Sequence, residues 1–193
     1  MPKRPKRQVL SPALFRNEAQ FFSPTVRSYS PLPADHPFYA MVGRVASEWS
    51  HLEHILDMTI WDLLSWKTTG LTGSLMASVT SQILGVNPRC KAIAALGAAR
   101  GLQDSLLKPF RKLKADAFAV AEWRARWVHD PWYMETGSGT PAQFRAMPEV
   151  DPRYGIQDIG HDELGRTIEE IKSLQEQATK LRSAVLVALA ASE

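Results

Sequence analysis

The stretch Glu122–Trp132 concentrates side chains that can hold a phosphate and move a proton. Its eleven residues include Arg124, His129 and three tryptophans. A guanidinium group donates two parallel hydrogen bonds to a phosphate, and imidazole is the side chain that most readily exchanges a proton near neutral pH. The C-terminus of a helix also favours the cationic form of a histidine in its last turn. The stretch therefore predicts a phosphate-directed site at the end of a helix.

The spacing within this stretch leaves two interpretations open. Positions 125 and 129 lie on one face of a helix, and Arg124 is long enough to reach towards His129 around that edge. In the functional interpretation, the two side chains share a phosphate. In the structural interpretation, Arg124 pairs with an acid such as Glu53 or Asp57, and His129 caps the helix.

A second set of polar residues lies earlier in the chain. His51, His54 and Asp57 step by three and could offer metal ligands from one side of a helix. No second pair of ligands with convincing spacing accompanies them, so we interpret them as solvated charges beside a buried stripe, and we expect no metal and no cofactor. Glu53 is the exception, because it could orient Arg124 or His129 in an assembled cleft.

Charge is distributed unevenly along the 193-residue chain, whose formal net charge is +3. Residues 1–35 carry six basic and two acidic residues, and seven of the 13 prolines lie at or before Pro37. Proline fixes φ and removes a donor, so this composition predicts a basic, Pro-rich N-terminal arm that is largely flexible. Residues 86–130 carry nine basic and four acidic residues and include Arg124, which points to phosphate as a partner.

Cysteine usage and hydropathy restrict the compartment. The single cysteine cannot form an intramolecular disulfide. No apolar run approaches the roughly 18–20 residues that span a membrane, and no apolar stretch of a signal peptide follows the basic start. We therefore expect a cytoplasmic protein with no membrane partner.

Apolar residues recur every three or four positions through most of the chain after the arm, which is the period of a helix. This spacing predicts five helices, over residues 37–66, 72–84, 87–101, 104–129 and 162–191. The intervening segment 131–160 is rich in glycine and proline, and within it Gln143–Ala146 and Arg153–Ile159 are expected to form a short hairpin. The predicted fold class is all-α, a bundle of about five helices with an irregular loop or hairpin before the last one, in a domain over residues 36–193.

The pair Arg124 and His129, at the end of the penultimate helix, resembles the R-x4-6-H motif of HEPN domains (higher eukaryotes and prokaryotes nucleotide-binding). Trp49–Leu56 is similar to the W-x2-L-E-x2-L pattern in the first helix of bacterial HEPN-like proteins. Trp132, three residues after the histidine, also matches their pattern. The resemblance covers about residues 36–190.

This resemblance implies a helical bundle that pairs as a homodimer, in which the arginine and histidine of both protomers cleave RNA without a metal. His129 would act on the 2′-hydroxyl as base or on the leaving oxygen as acid, and Arg124 would hold the scissile phosphate. Glu53, Arg126 and Trp132 are expected to support the site or bind substrate. The chemistry uses the 2′-OH, so RNA rather than DNA is the expected substrate. Family members often belong to prokaryotic toxin or defence systems, which implies an antitoxin or another regulatory protein as partner.

One residue departs from the family pattern. Ala125 follows the motif arginine, where active members often carry asparagine or another polar residue. This departure favours a second hypothesis, a non-catalytic HEPN-like module that binds a nucleotide or another protein. A third hypothesis is a purely structural helical protein in which the Arg–His pair is incidental.

Overall fold

The computed structural model describes residues 27–65, 73–147 and 153–191. The helices are α1 (Pro37–Ser65), α2 (Gly73–Ser81), α3 (Val86–Ala99), α4 (Asp104–His129) and α5 (His161–Ala191). The strands are β1 (Tyr29–Pro31), β2 (Trp132–Glu135), β3 (Pro141–Met147) and β4 (Arg153–Asp158). Contacts divide the described residues into a helical unit, 33–130 with 160–191, and a sheet unit, 27–32 with 131–159. The predicted fold, dominated by five helices, is confirmed.

The helical unit is built around α1, which packs against α3, α4 and α5. The predicted stripe of α1 is buried almost throughout, because its apolar residues step by three and four along one face. Buried members of that stripe are Phe38, Val45, Trp49, Leu52, Leu56, Ile60 and Leu63. The corresponding stripes of α4 and α5 meet it, and their largest enclosed side chains include Trp127, Phe110 and Ile171. Burial of these apolar faces supplies most of the stabilisation of the unit.

Polar contacts position α3 against its neighbours. At the end of α3, Arg100 donates from Nε to the carbonyl of Leu63 at 2.9 Å and from Nη2 to that of Leu64 at 3.1 Å, so it satisfies acceptors in the last turns of α1. Gly97 lets α4 approach closely, because a Cβ there would lie 2.5 Å from Cδ2 of Leu107. α3 is therefore held between α1 and α4.

The N-terminus of α1 begins at Pro37, as predicted from the sequence. The acceptor for its first turn is the imidazole of His36, whose Nδ1 lies 3.3 Å from the backbone nitrogen of Phe38. His161, the first residue of α5, packs edge-on against the Phe38 ring with 4.3 Å between ring centroids. An aromatic cluster thus joins the starts of α1 and α5.

The sheet unit is a four-stranded antiparallel sheet in the order β1-β2-β3-β4. The predicted hairpin is present as β3 and β4, in which Phe144 pairs with Ile156. β1 and β2 were not predicted from the sequence. β1 lies within residues 1–35, which the composition assigned to an arm, and it pairs Tyr29 with Glu135 of β2. Residues 1–26 of that arm lie outside the described ranges.

Candidate functional site

A cleft of about 390 Å³ opens between α1, the start of α3 and α4, entirely within the helical unit. α1 contributes Trp49 and Glu53 to its lining, and the turn before α3 contributes Leu84 and Gly85. The lining residues of α4 are Lys114, Ala117, Phe118, Ala121 and Arg124. These five positions step by three and four residues, so they share one face of the helix. Most of the lining is apolar, as in small-molecule sites, and a few charged groups converge on it.

Arg124, the arginine of the predicted motif, lies at one end of this face. Its Nε is enclosed by the protein and finds no hydrogen-bond partner among the residues that the structure describes. An enclosed donor without an acceptor costs about 1–3 kcal/mol, and more when the group is charged. A bound anion would supply the missing acceptor, so the arrangement is poised for one.

Glu53, the predicted supporting residue, lines the same cleft from α1. Its Oε1 accepts a hydrogen bond from Nε1 of Trp49 at 3.1 Å and lies 3.7 Å from Nη1 of Arg89. Arg89 in turn binds both carboxylate oxygens of Asp57, at 2.8 and 3.1 Å. The structural interpretation in which Arg124 pairs with Asp57 therefore does not describe this geometry, because Asp57 is occupied by Arg89.

Glu53, Lys114 and Arg124 are the charged residues that line the cleft, and Arg89 and Asp57 are linked to Glu53 by ion pairs; these five charges do not balance. Arg89, Lys114 and Arg124 are cationic, while Glu53 and Asp57 are anionic, which leaves one net positive charge. The two acids are both in contact with Arg89. The excess positive charge is therefore carried by the α4 wall, at Lys114 and Arg124.

The start of α3 faces the same cleft. The helix begins at Val86, close to the predicted start at residue 87, and its N-cap is Gly85. Gly85 has φ 82°, a left-handed conformation that glycine adopts without strain. No side chain caps the first turn, so the positive end of the helix dipole adds to the potential of the cleft.

The structure does not bring His129 into this cleft. His129 is exposed in the last turn of α4, and it follows Arg124 by five residues. Five residues correspond to about 140° around an α-helix and about 7.5 Å along its axis, so the two side chains leave the helix in different directions. Arg126 is half-buried in the same turn. Within one chain, Arg124 and Glu53 therefore line the same cleft, whereas His129 does not.

Trp132, the other predicted supporting residue, belongs to the sheet unit. It begins β2 and is buried. Its carbonyl oxygen accepts a hydrogen bond from the backbone nitrogen of Leu32 at 3.2 Å.

Two of the three candidate metal ligands of α1 contact other side chains. Asp57 binds Arg89, and the ring of His54 packs edge-on against Trp61 with centroids 5.7 Å apart. Within residues 27–65, 73–147 and 153–191, no group of three or more histidine, cysteine or acidic side chains is placed to hold a metal ion. The helices of these same ranges are too short or too polar to cross a membrane.

The cysteine, Cys90, lies on α3 and is only 2% exposed. Burial raises the pKa of its thiol to about 12, and the nearby charge of Lys114 offsets part of that rise. We expect the native thiol to react far more slowly with a thiol reagent at pH 8 than the thiol of the denatured chain. The chain has one cysteine, so the colour released by such a reagent reports this residue alone.

The same shift predicts a pH dependence of stability. The thiol ionises near pH 9 in the unfolded chain and near pH 12 in the native one, so the native state binds more protons between these values. The free energy of unfolding should therefore fall as pH rises above about 9, by at most about 1.4 kcal/mol per pH unit from this group. Comparison with Cys90→Ala isolates the contribution, and equal slopes for the two proteins would contradict it.

Several residues of the cleft were not singled out by the sequence. Lys114, Phe118 and Leu84 belong to elements whose packing brings them together only in the folded unit. One signal was present in α4, where two alanines separate two cations at helical spacing, because small residues between charged ones on a helix face leave room for a groove.

No family model, curated protein or solved structure matches this chain.

Proposed function

We propose that this protein is a HEPN-like module that binds a nucleotide or an RNA strand through its phosphate, with Arg124 as the principal cation. The observation that carries the proposal is the enclosed Nε of Arg124, which lacks a hydrogen-bond partner within the described residues while its side chain lines a cleft of about 390 Å³. A protein that binds nothing at this position gains no compensation for an enclosed, unpaired cationic donor.

Phosphate is the anion that fits this arrangement best. A guanidinium group presents its donors in a planar fork that matches two phosphate oxygens. Lys114 adds a second cation from the same helix, and the uncapped start of α3 adds the dipole of a helix N-terminus. Glu53 offsets this field only in part, because its carboxylate also contacts Trp49 and Arg89 and one net positive charge remains.

The resemblance to HEPN domains supports a nucleotide as the source of the phosphate. Arg124 is the motif arginine, and Glu53 belongs to the matching pattern in the first helix. These two residues, chosen from separate parts of the sequence, line one cleft. The binding hypothesis needs only this convergence within a single chain.

Binding of a fluorescently labelled single-stranded RNA, followed by anisotropy, tests the proposal. Arg124→Ala should weaken binding about 10- to 100-fold, as expected for the loss of a charge-assisted hydrogen bond. Arg111→Ala is the matched control, because it removes one positive charge from the same helix at an exposed position paired with Asp104. It should change the dissociation constant less than about three-fold. Equal affinities of wild type and Arg124→Ala, or no binding of RNA and nucleotides by the wild type, would refute the proposal.

Metal-independent RNA cleavage is the second candidate, and the exposure of His129 in the last turn of α4 favours it. His129 would remove the 2′-hydroxyl proton, the 2′-oxygen would attack phosphorus, and the bond to the 5′-oxygen would break as that oxygen takes a proton from water, producing a 2′,3′-cyclic phosphate and a 5′-hydroxyl. Arg124 would stabilise the charge on the phosphorane oxygens. The two residues diverge on one helix, so the reaction needs His129 of one copy beside Arg124 of another.

Cleavage is tested with RNA in EDTA. Activity should persist without divalent ions, fall about 10²- to 10⁴-fold in His129→Ala, and be absent on the all-deoxy oligonucleotide. Light scattering should give the mass of a dimer under the same conditions. A folded, dimeric protein that leaves RNA intact would rule out this candidate and leave the binding proposal in place.

A further inference from the structure

The cleft has an apolar side that phosphate binding does not explain. Phe118 of α4 is 64% exposed and Leu84 of the preceding turn is 81% exposed, although both line the cleft. Hydration of two large apolar side chains beside one cleft is unfavourable in free energy. Such an exposed apolar surface usually marks a contact site. Ala117 and Ala121 lie beside them on α4 and keep the floor shallow.

The apolar side and the phosphate side of the cleft both belong to α4. Phe118 and Arg124 are separated by six residues of continuous helix, which correspond to about 9 Å along the axis of α4 and a divergence of about 120° around it. Both side chains nevertheless line the same cleft, so one ligand can contact them together. Ala121 lies between them and leaves room for a sugar.

We propose that the cleft holds a single nucleotide, with its phosphate at Arg124 and its base against Phe118 and Leu84. This inference rests on the proposed function, and it adds a base subsite to the phosphate site. Base stacking on an aromatic ring is favourable for every base, because each has a π face. The subsite therefore contributes affinity with little sequence preference, and Phe118 is its main determinant.

Two observations favour a nucleotide over a protein segment as the occupant. The cleft encloses about 390 Å³, which lies in the range of small-molecule sites. Its unbalanced charge is concentrated at Arg124 and Lys114, which suits a compact anion with a flat apolar body better than an extended apolar chain. Binding of a protein at this surface is the competing outcome of the test.

Calorimetry with three small ligands separates the two halves of the cleft. Adenosine 5′-monophosphate carries base and phosphate, ribose 5-phosphate lacks the base, and adenosine lacks the phosphate. We expect the wild type to bind adenosine 5′-monophosphate about ten-fold more tightly than either fragment. Phe118→Ala should reduce the advantage over ribose 5-phosphate to less than about two-fold and leave the affinity for ribose 5-phosphate itself unchanged.

Val187→Ala is the matched control, because Val187 is 70% exposed on α5 and does not line this cleft. It should bind all three ligands as the wild type does. Circular dichroism and the melting temperature establish that both variants are folded, which their exposed positions lead us to expect.

The outcomes distinguish this inference from the function on which it rests. If ribose 5-phosphate binds as tightly as the complete nucleotide, or if Phe118→Ala changes nothing, the base subsite is refuted while phosphate binding stands. If neither the nucleotide, nor its fragments, nor RNA binds the wild type, both proposals are refuted. In the first of these cases, the exposed apolar side would be left to a contact with another protein.

Discussion

Replacing Arg89 by alanine is expected to lower the free energy of unfolding by about 3–5 kcal/mol, because the substitution leaves a partly buried carboxylate without its partner. Arg89 is 8% exposed. It binds both oxygens of Asp57, and its Nη1 also donates to the carbonyl of Gly85 at 3.2 Å. One side chain therefore ties α1, α3 and the turn that begins the cleft, and its removal loosens all three.

Urea unfolding followed by circular dichroism measures this effect. With a slope of about 1–3 kcal/mol per molar urea, the midpoint should fall by at least about 1 M. Arg111→Ala is the control here as well, because the exposed pair of Arg111 and Asp104 is expected to contribute only about 0–1 kcal/mol. Similar midpoints for the Arg89 and Arg111 variants would contradict the prediction.

A double variant separates the net contribution of the Arg89–Asp57 ion pair to stability from the cost of leaving one carboxylate unpaired. Replacing Arg89 by methionine and Asp57 by leucine removes both charges while keeping much of their volume. The double variant should be more stable than Arg89→Ala alone, since the carboxylate of Asp57 no longer lacks a partner and only the more distant Glu53 loses its contact with Arg89. A double variant as unstable as the single one would show that packing, rather than charge, accounts for the loss.

The second large loss of stability is expected when Trp127 is replaced. Its side chain is 1% exposed, its Nε1 donates to Oγ1 of Thr167 at 3.0 Å, and its ring stacks on that of Trp123 with centroids 5.4 Å apart. Trp127→Ala should cost about 3–5 kcal/mol, because it creates a cavity between α4 and α5 and leaves Thr167 without this donor.

Two comparisons give this prediction its specificity. Thr167→Val removes the acceptor and keeps the shape, so it should cost about 1–3 kcal/mol. Phe118→Ala removes an aromatic side chain that is 64% exposed on the same helix, so it should stay within about 0.5 kcal/mol of the wild type. Equal losses of unfolding free energy for Trp127→Ala and Phe118→Ala would contradict the assignment of Trp127 to the core of the helical unit.

The helices could be predicted because their signal is local. α4 begins at Asp104 and ends at His129, as the periodicity and the proline after Asp130 predict. The capping residues were harder to predict from the sequence. His36 accepts from the first turn of α1 and Gly85 is the N-cap of α3, and neither could be assigned from the sequence because cap geometry depends on the direction from which the chain enters the helix.

The sheet was only half predictable, for a related reason. β3 and β4 form a hairpin within one segment, and alternation and turn residues mark it. β1 is three residues long and lies among prolines, and it becomes a strand only through its pairing with β2. No local sequence pattern of residues 29–31 predicts that pairing.

The candidate site stays a prediction, although part of the cleft lining could be selected from the sequence. Glu53 and Arg124 were selected from the sequence, and they line one cleft. The sequence did not predict that Glu53 and Asp57 contact Arg89. Whether these acids contact Arg89 or Arg124 depends on how α3 packs against α1. The juxtaposition of Arg124 with His129 stays a prediction, since it concerns two copies of the chain.

The pairing of β1 with β2 also has a consequence for the order of folding. Tyr29 and Glu135 are more than a hundred positions apart, and the segments that form α1 to α4 lie between them. During synthesis at about 5–20 residues per second, β1 therefore waits at least about 5 s for its partner to emerge. Closing so long a loop is slow compared with forming local helices. We expect β1 to join the sheet only after β2 and the sequence of α1 to α4 have been made.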